Sequence, residues 1–160
     1  MDERFHIDLD VHVSDGERFW MISHAELLLA DGRFGEAVPI ADALAATRPP
    51  DTHPLWSPWR GLRARAASAE GDPGTASRLA GEELALARRS GAPWVVGRAA
   101  RQLGELTGDE TLLREAVALL DPTSARLERA KAHAAAGNRS VAYALAQRCG
   151  AGGLASRVAP

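Results

Sequence analysis

The chain has 160 residues, enough for one domain to bury a core without disulfides or metals. Hydrophobic residues make up 46% and charged residues 25%, close to globular averages, which argues against a fibrous or wholly disordered chain. The net charge of −2 provides no overall basic field, so the chain as a whole is not expected to bind nucleic acid.

The single cysteine and the short apolar runs exclude further classes of protein. Cys149 is the only cysteine, which excludes an intrachain disulfide and a multi-cysteine zinc site and fits a reducing cytoplasm. The acidic N-terminus lacks the pattern of an export signal, and no apolar run is long enough to cross a membrane. Residues 1–54 hold eleven acidic and four basic side chains, whereas residues 55–160 hold ten acidic and fifteen basic ones. The sequence therefore predicts a cytoplasmic protein whose two parts carry opposite charge.

Residues 1–13 are predicted to form an extended arm or a β-strand, because the segment FHIDLDVHV alternates apolar and polar residues. No second strand is predicted, so a second copy of the chain could supply a pairing edge and give a homodimer through residues 5–13. The alternative is an arm that lies on the helices. A polar face has ligand chemistry for a divalent metal, although a solvated face is the preferred interpretation and no metal is predicted. That face comprises His6, Asp8, Asp10 and His12.

Residues 14–160 are predicted to be one helical domain. Ser14 and Glu17 form a capping box at the first helix start. Four turn glycines then separate the helices of four hairpins, and Ser57-Pro58, Asp72-Pro73 and Asp121-Pro122 are read as helix starts. The turn glycines are Gly32, Gly71, Gly108 and Gly137. The predicted helices cover residues 15–30, 34–47, 59–70, 73–90, 93–106, 111–120, 121–136 and 140–148, followed by a short segment at 154–158.

Three hairpins share pairs of alanines that are twelve residues apart. Each pair has its second alanine five residues after a turn glycine, and the pairs are Ala25/Ala37, Ala64/Ala76 and Ala130/Ala142. Small side chains at these positions are expected where two antiparallel helices touch closely. The third hairpin lacks such a pair.

The first hairpin has small, large, turn, aromatic and proline positions in a characteristic order: Ala25, Leu28, Gly32, Phe34, Ala37 and Pro49. This order resembles a tetratricopeptide repeat, although Met21, His24 and Ala41 replace the usual tryptophan, leucine and aromatic residue. The spacings between hairpins are irregular, so the resemblance implies degenerate repeats. We therefore expect an all-α fold, a tetratricopeptide-like α-solenoid of about four helical hairpins.

Two further stretches within roughly residues 72–160 are informative: the run GEELALARRSGAPWVVGRAARQLGELTGDETLLREAVALLDPTSARLERAKA, and AQRCGAGGLASRVA. They resemble the helical-repeat sensor region of large ATP-binding LuxR-type (MalT-like) transcriptional regulators. The phosphate-binding loop of their ATPase is absent from this sequence. The resemblance therefore implies a sensor module, and it implies neither ATP hydrolysis nor DNA binding for this chain.

In tetratricopeptide repeats the first helix of each hairpin lines a concave groove, and this register predicts which side chains face it here. The later part of the groove is predicted to be basic and suited to an acidic peptide or a terminal carboxylate. The alternative is a solvated face rich in arginine. The predicted groove residues are Ile22, Glu26, Arg65, Arg98, Gln102 and Lys131.

Four tryptophans and a histidine are candidates for a small-molecule pocket, although core packing is the preferred interpretation. They are Trp20, His24, Trp56, Trp59 and Trp94. His24 near Glu26 and His53 near Asp51 could each supply a general base, but such neighbours arise by chance among five histidines and twenty-one acidic residues, so no catalytic role is predicted for them. Ser57 and Ser90 are predicted to be a helix cap and a helix end, and Cys149 has no base that could activate it.

These observations favour a non-catalytic protein-interaction or effector-sensing module of a regulatory system, binding a peptide or small effector in its groove. No cofactor, nucleic acid or membrane is predicted as a partner. The alternative is a small-molecule-binding protein or an enzyme of a biosynthetic pathway with a pocket lined by tryptophan and histidine.

Overall fold

The computed structural model describes residues 14–47, 49 and 51–160, and within these ranges its regular structure is helical, without strands. The predicted strand, the histidine and aspartate face and the dimer contact through residues 5–13 lie outside the described residues. The helices are α1 (Asp15–Ala30), α2 (Phe34–Ala46), α3 (Trp59–Ala69), α4 (Pro73–Ser90), α5 (Pro93–Thr107), α6 (Glu110–Leu120), α7 (Arg126–Ala135), α8 (Arg139–Arg148) and α9 (Gly152–Val158).

Local capping chemistry explains several helix boundaries. The predicted capping box is confirmed, because Glu17 N donates to Ser14 Oγ at 3.2 Å and Ser14 N donates to the Glu17 carboxylate at 2.7 Å. Asp72 caps α4 by accepting from Thr75 N at 2.9 Å. Gly91 adopts a positive φ after α4, a conformation that glycine tolerates without strain.

The predicted cap at Ser57 is wrong. Pro58 occupies the N-cap position of α3 and no side chain caps this helix. The Ser57 hydroxyl instead donates to the Leu44 carbonyl at 3.4 Å. Ser57 therefore ties the proline-rich connector to the end of α2.

The start of the seventh helix also differs from the prediction, since α7 begins at Arg126 and not at Asp121. Thr123 closes a turn after α6, where its backbone N–H and its hydroxyl donate to the Leu120 carbonyl at 2.9 and 2.7 Å. The Asp121 side chain lies 2.9 Å from His133 Nε2 and is therefore not available as a cap.

Packing follows the order of the chain. The pairs α1/α2, α3/α4, α5/α6 and α7/α8 form hairpins with connections of two or three residues, and α9 packs on α8. The odd-numbered helices α1, α3, α5 and α7 also contact one another in succession. The apolar core divides into consecutive clusters, from one on α1 to α3 to one on α7 to α9. The arrangement is that of a helical-repeat-like all-α fold.

The alanine pairs are buried as the helix-contact interpretation requires. Ala25, Ala64, Ala130 and Ala142 are fully buried, and Ala37 and Ala76 are 1% exposed. Because no room remains around these methyl groups, larger side chains at these positions would force the paired helices apart.

The third hairpin achieves its close contact with glycines. A Cβ atom added to Gly97 would lie 2.7 Å from Leu120 Cγ, and one added to Gly104 would lie 2.8 Å from Leu113 Cδ2. The two glycines are two helical turns apart on α5 and receive two leucines of α6. This exchange of glycine for alanine explains why the alanine pair is missing here.

We predict that Ala76→Leu lowers the free energy of unfolding by roughly 1–3 kcal/mol, because the larger side chain overpacks the contact between α3 and α4. Ala85→Leu is the matched control, since Ala85 lies exposed on the same helix and its replacement should change stability by less than about 0.5 kcal/mol. Urea unfolding of both variants measures the difference. Equal midpoints would show that Ala76 is not a contact point.

We also predict that alanine has opposite effects at two helical glycines. Gly81→Ala should stabilise the protein by about 0.5–1 kcal/mol, because no atom lies within 4 Å of the added Cβ and alanine favours helix. Gly97→Ala should destabilise it, since the new methyl group meets Leu120. Thermal unfolding of the two variants tests this contrast, and stabilisation by both would contradict the proposed contact.

Candidate binding site

Side chains from four helices border a cavity of about 400 Å³. Arg65 of α3, Arg101 of α5, Lys131 of α7 and Arg157 of α9 line it, together with Glu105. The remaining wall is largely apolar and consists of Ala134, Ala135, Leu154 and Val158. The cavity therefore combines a cationic side with an apolar side, which is a common composition for ligand sites.

Glu128 binds two of the cations that line the cavity. Its carboxylate accepts hydrogen bonds from Arg101 Nη2 and Lys131 Nζ, each at 2.9 Å. Burial by itself would raise the pKa of Glu128, but Arg101 and Lys131 outweigh burial and lower that pKa to about 2. Glu128 is thus a fixed negative charge that holds two cations in place.

Arg101 is held by two carboxylates and still has an unused donor. It is buried, and its guanidinium donates to Glu105 at 2.7 Å as well as to Glu128. Burial opposes its charge, but the coulombic attraction of these carboxylates raises the pKa of Arg101 further. Its Nε–H group is buried without an acceptor. Such a donor is costly unless a ligand or water satisfies it.

Arg157 is the cation of the cavity that a ligand reaches most readily. It is exposed on α9, and within the part of the chain that the structure describes no carboxylate lies at ion-pair distance from it. Arg65 and Lys131 are each about one third exposed and are paired with Glu26 and Glu128, respectively. The cavity therefore offers one unpaired and two partly exposed cations.

The predicted groove residues lie in three places. Arg65 and Lys131 line the cavity, and Glu26 pairs with Arg65 at 2.6 Å. Ile22 packs against the core cluster of the first hairpin. Arg98 and Gln102 lie in a separate buried cluster.

The buried cluster surrounds Glu83 of α4, a residue that the sequence analysis did not single out. Gly61 N donates to Glu83 Oε2 at 2.6 Å, and Arg98 Nη2 lies 3.6 Å from Glu83 Oε1. Arg98 also donates to the Pro54 carbonyl at 3.1 Å. A Cβ atom at Gly61 would lie 2.6 Å from Gln102 Oε1, so this glycine is required by the packing of polar groups.

The aromatic candidates are dispersed. The Trp20 and His24 rings lie 4.9 Å apart on α1, and Trp59 packs against the core clusters of the first two hairpins. Trp94 packs against the cluster of the third hairpin, and Trp56 is 47% exposed. None of these side chains lines the cavity.

The remaining candidates occupy ordinary structural positions. The Ser90 hydroxyl donates to the Ala87 carbonyl at the end of α4. Cys149 follows α8, is half-buried and contacts the Ala146 carbonyl at 3.5 Å. His53 Nδ1 accepts from Leu55 N, and burial together with Arg98 lowers the pKa of His53.

Arg101, Glu128 and Arg157 were missed by the sequence analysis. One signal pointed to Arg101: it stands seven residues before a turn glycine, where the other hairpins carry Ala25, Ala64 and Ala130. A large cation in the place of a small residue marks a position with another role. Glu105, four residues away, is a partner that local spacing could suggest, but Glu128 is 27 residues away and local spacing does not reveal it.

Comparisons with family models, with curated proteins and with solved structures find no match to this chain. In the described ranges, no set of three or more histidine, cysteine or acidic side chains is grouped so as to hold a metal ion. None of the described helices has both the length and the hydropathy needed to span a bilayer.

We predict that Glu128→Gln lowers the free energy of unfolding at pH 7 by about 3 kcal/mol, the equivalent of a pKa lowered from 4.5 to about 2. Because the folded-state pKa is depressed, this contribution is present above pH 4.5 and is lost as the pH falls towards 2. Urea unfolding across this range should show the wild-type and variant curves converging at low pH.

Glu115→Gln is the control for this prediction. Glu115 pairs with Arg88 at 2.7 Å on the surface, where such a pair contributes less than about 1 kcal/mol. A loss no larger for Glu128→Gln than for the control would contradict the assigned role of Glu128.

Proposed function

We propose that the protein is a non-catalytic binding module, a degenerate tetratricopeptide-like α-solenoid of about four hairpins. Two features of the packing support the solenoid. Helices α1, α3, α5 and α7 contact one another in succession, and the core is a series of clusters shared between neighbouring hairpins. Repeat proteins are built from such nearest-neighbour contacts and expose an extended surface suited to a partner.

The proposed ligand group is a single carboxylate, that of a peptide C-terminus. The observation that carries this proposal is the convergence of Arg65, Arg101, Lys131 and Arg157 on one cavity. A carboxylate placed there would accept charge-assisted hydrogen bonds from cations that the fold already positions. The cost of ordering these side chains on binding is correspondingly small.

The charge balance of the site favours one carboxylate over a polyanion. Glu26, Glu105 and Glu128 are hydrogen-bonded to cations of the cavity. Four positive and three negative side chains leave an excess of one positive charge, which a single carboxylate neutralises. A nucleic-acid backbone would instead meet three carboxylates that repel it.

The apolar wall contributes selectivity. Ala134, Leu154 and Val158 lie beside the cations and leave room for a small apolar side chain. A peptide whose last residue is alanine or valine would fill this wall while its carboxylate meets Arg157. The resemblance of residues 72–160 to the sensor region of LuxR-type regulators supports a role for this recognition in a cytoplasmic regulatory system.

The proposal is tested by nuclear magnetic resonance titration with acetyl-Gln-Ala-Val as the free acid and as the C-terminal amide. We predict that the free acid shifts the backbone signals of Ala134, Ala135 and Arg157 in a saturable and salt-sensitive manner, and that the amide binds at least several-fold more weakly.

Two variants separate the cavity from general charge effects. Arg157→Ala should weaken binding roughly tenfold, as expected for the loss of one charge-assisted hydrogen bond. Arg89→Ala removes an exposed arginine of α4 outside the cavity and should leave binding unchanged. Equal binding of the acid and the amide, or equal effects of both variants, would contradict the proposal.

A further inference from the structure

The Glu83 cluster, formed by Gly61, Glu83, Arg98 and Gln102, is buried at the junction between the second hairpin and α5. Glu83 is 1% exposed, and its Oε2 atom accepts from Gly61 N at 2.6 Å. Its Oε1 atom and the Oε1 atom of Gln102 are both buried without a hydrogen-bond partner. Two unsatisfied acceptors in one core are unusual, and such groups call for a physical explanation.

These two oxygens border the same space. A Cβ atom added to Gly61 would lie 2.8 Å from Glu83 Oε1 and 2.6 Å from Gln102 Oε1. Two acceptors in proximity repel each other unless a hydrogen atom lies between them. One proton on Glu83 would satisfy both atoms, because a protonated carboxyl group donates one hydrogen bond.

Arg98 does not take over this role. Its Nη2 atom lies 3.6 Å from Glu83 Oε1, beyond hydrogen-bonding distance, and donates to the Pro54 carbonyl at 3.1 Å. Its Nε–H group is buried and has no acceptor. The arginine is therefore engaged by the proline-rich connector and only partly compensates a charge on Glu83.

We propose that Glu83 is a neutral carboxylic acid in the native protein, that its Oε1–H donates to Gln102 Oε1, and that loss of this proton to solvent weakens the junction between the second hairpin and α5. The junction is then a proton-sensitive element of the fold. Once ionised, Glu83 would face the Gln102 carbonyl oxygen as a buried charge and would attract Arg98 away from Pro54.

The charged groups around Glu83 support this assignment. Burial dominates and raises the pKa of Glu83 to about 7, while Arg98 and the Gly61 amide oppose it and do not restore the ordinary value of 4.5. Arg60 of α3 also favours the ionised form, and Glu26 of α1 disfavours it. Both of these groups form ion pairs elsewhere, since Arg60 donates to Glu82 and Glu26 accepts from Arg65.

The raised pKa has a defined consequence for stability. The folded state keeps the proton up to about pH 7, whereas the unfolded chain releases it near pH 4.5. The contribution is therefore fully present below pH 4.5 and is lost as the pH rises through about 7. This direction is opposite to that expected for Glu128.

The experiment compares urea unfolding of the wild-type protein and Glu83→Gln between pH 5 and 8.5. The glutamine keeps both hydrogen bonds, because its oxygen accepts from Gly61 N and its amide N–H donates to Gln102 Oε1. We expect the wild-type midpoint to fall relative to the variant as the pH rises, with most of the change completed by about pH 7.5. Parallel curves would overturn the proposal.

Glu82→Gln is the matched control on the same helix. Glu82 is partly exposed, and although burial opposes the shift, its hydrogen bonds with Arg78 and Arg60 lower its pKa. This variant should keep the wild-type fall in midpoint between pH 5 and 8.5. If the fall disappears in both variants, it does not belong to Glu83 and the proposal is wrong.

A spectroscopic measurement on the folded protein covers the case in which Glu83→Gln does not fold. Infrared difference spectra recorded from pH 5 to 8.5 should show a protonated carboxyl band that is lost near pH 7. Gln102→Met should shift this band, because the hydrogen-bond acceptor is removed. Absence of the band at pH 6 would mean that Glu83 is ionised and that the Gln102 amide group donates to it, and would overturn the proposal. Neither measurement depends on the proposed peptide binding.

Discussion

Close approach of neighbouring helices through small side chains is the constraint on which this structure depends. The connections within hairpins are only two or three residues long, so each pair of helices must pack side by side. Buried alanines such as Ala25 and Ala64 allow this contact in the other hairpins, whereas the third hairpin uses Gly97 and Gly104. The requirement is for a short distance between helix axes, and different small residues meet it.

The exception in the third hairpin also creates the candidate binding site. In this hairpin Leu113 packs against Gly104. The position seven residues before the turn glycine, which is alanine in the other hairpins, is Arg101 here. The Arg101 guanidinium donates to Glu128 of the following hairpin and lines the cavity. The loss of the alanine pair and the gain of a buried cation are thus two aspects of one rearrangement.

Helix positions were largely predictable from the sequence, because caps and turn glycines act over a few residues. Asp72 and Gly91 are examples in which the local signal is decisive. The predicted helix start at Asp121 was wrong, since the Asp121 side chain contacts His133 and does not cap a helix. Two ion pairs of the cavity were not predictable for a related reason: Arg65 with Glu26 and Arg101 with Glu128 join different helices, and only hairpin packing decides which carboxylate meets which arginine.

Buried Glu83 and partly buried Glu128 show how such packing determines the protonation of a carboxyl group. Glu128 receives two cationic donors at 2.9 Å and has a lowered pKa, whereas Glu83 receives one backbone N–H and has its nearest cation at 3.6 Å. Burial disfavours ionisation in both, so the number of donors in contact decides the outcome. On helix α5, Arg101 donates to Glu128, and the neighbouring Gln102 lies beside Glu83. The carboxylate proposed for the cavity and the proton proposed for Glu83 would therefore act on adjacent residues of one helix.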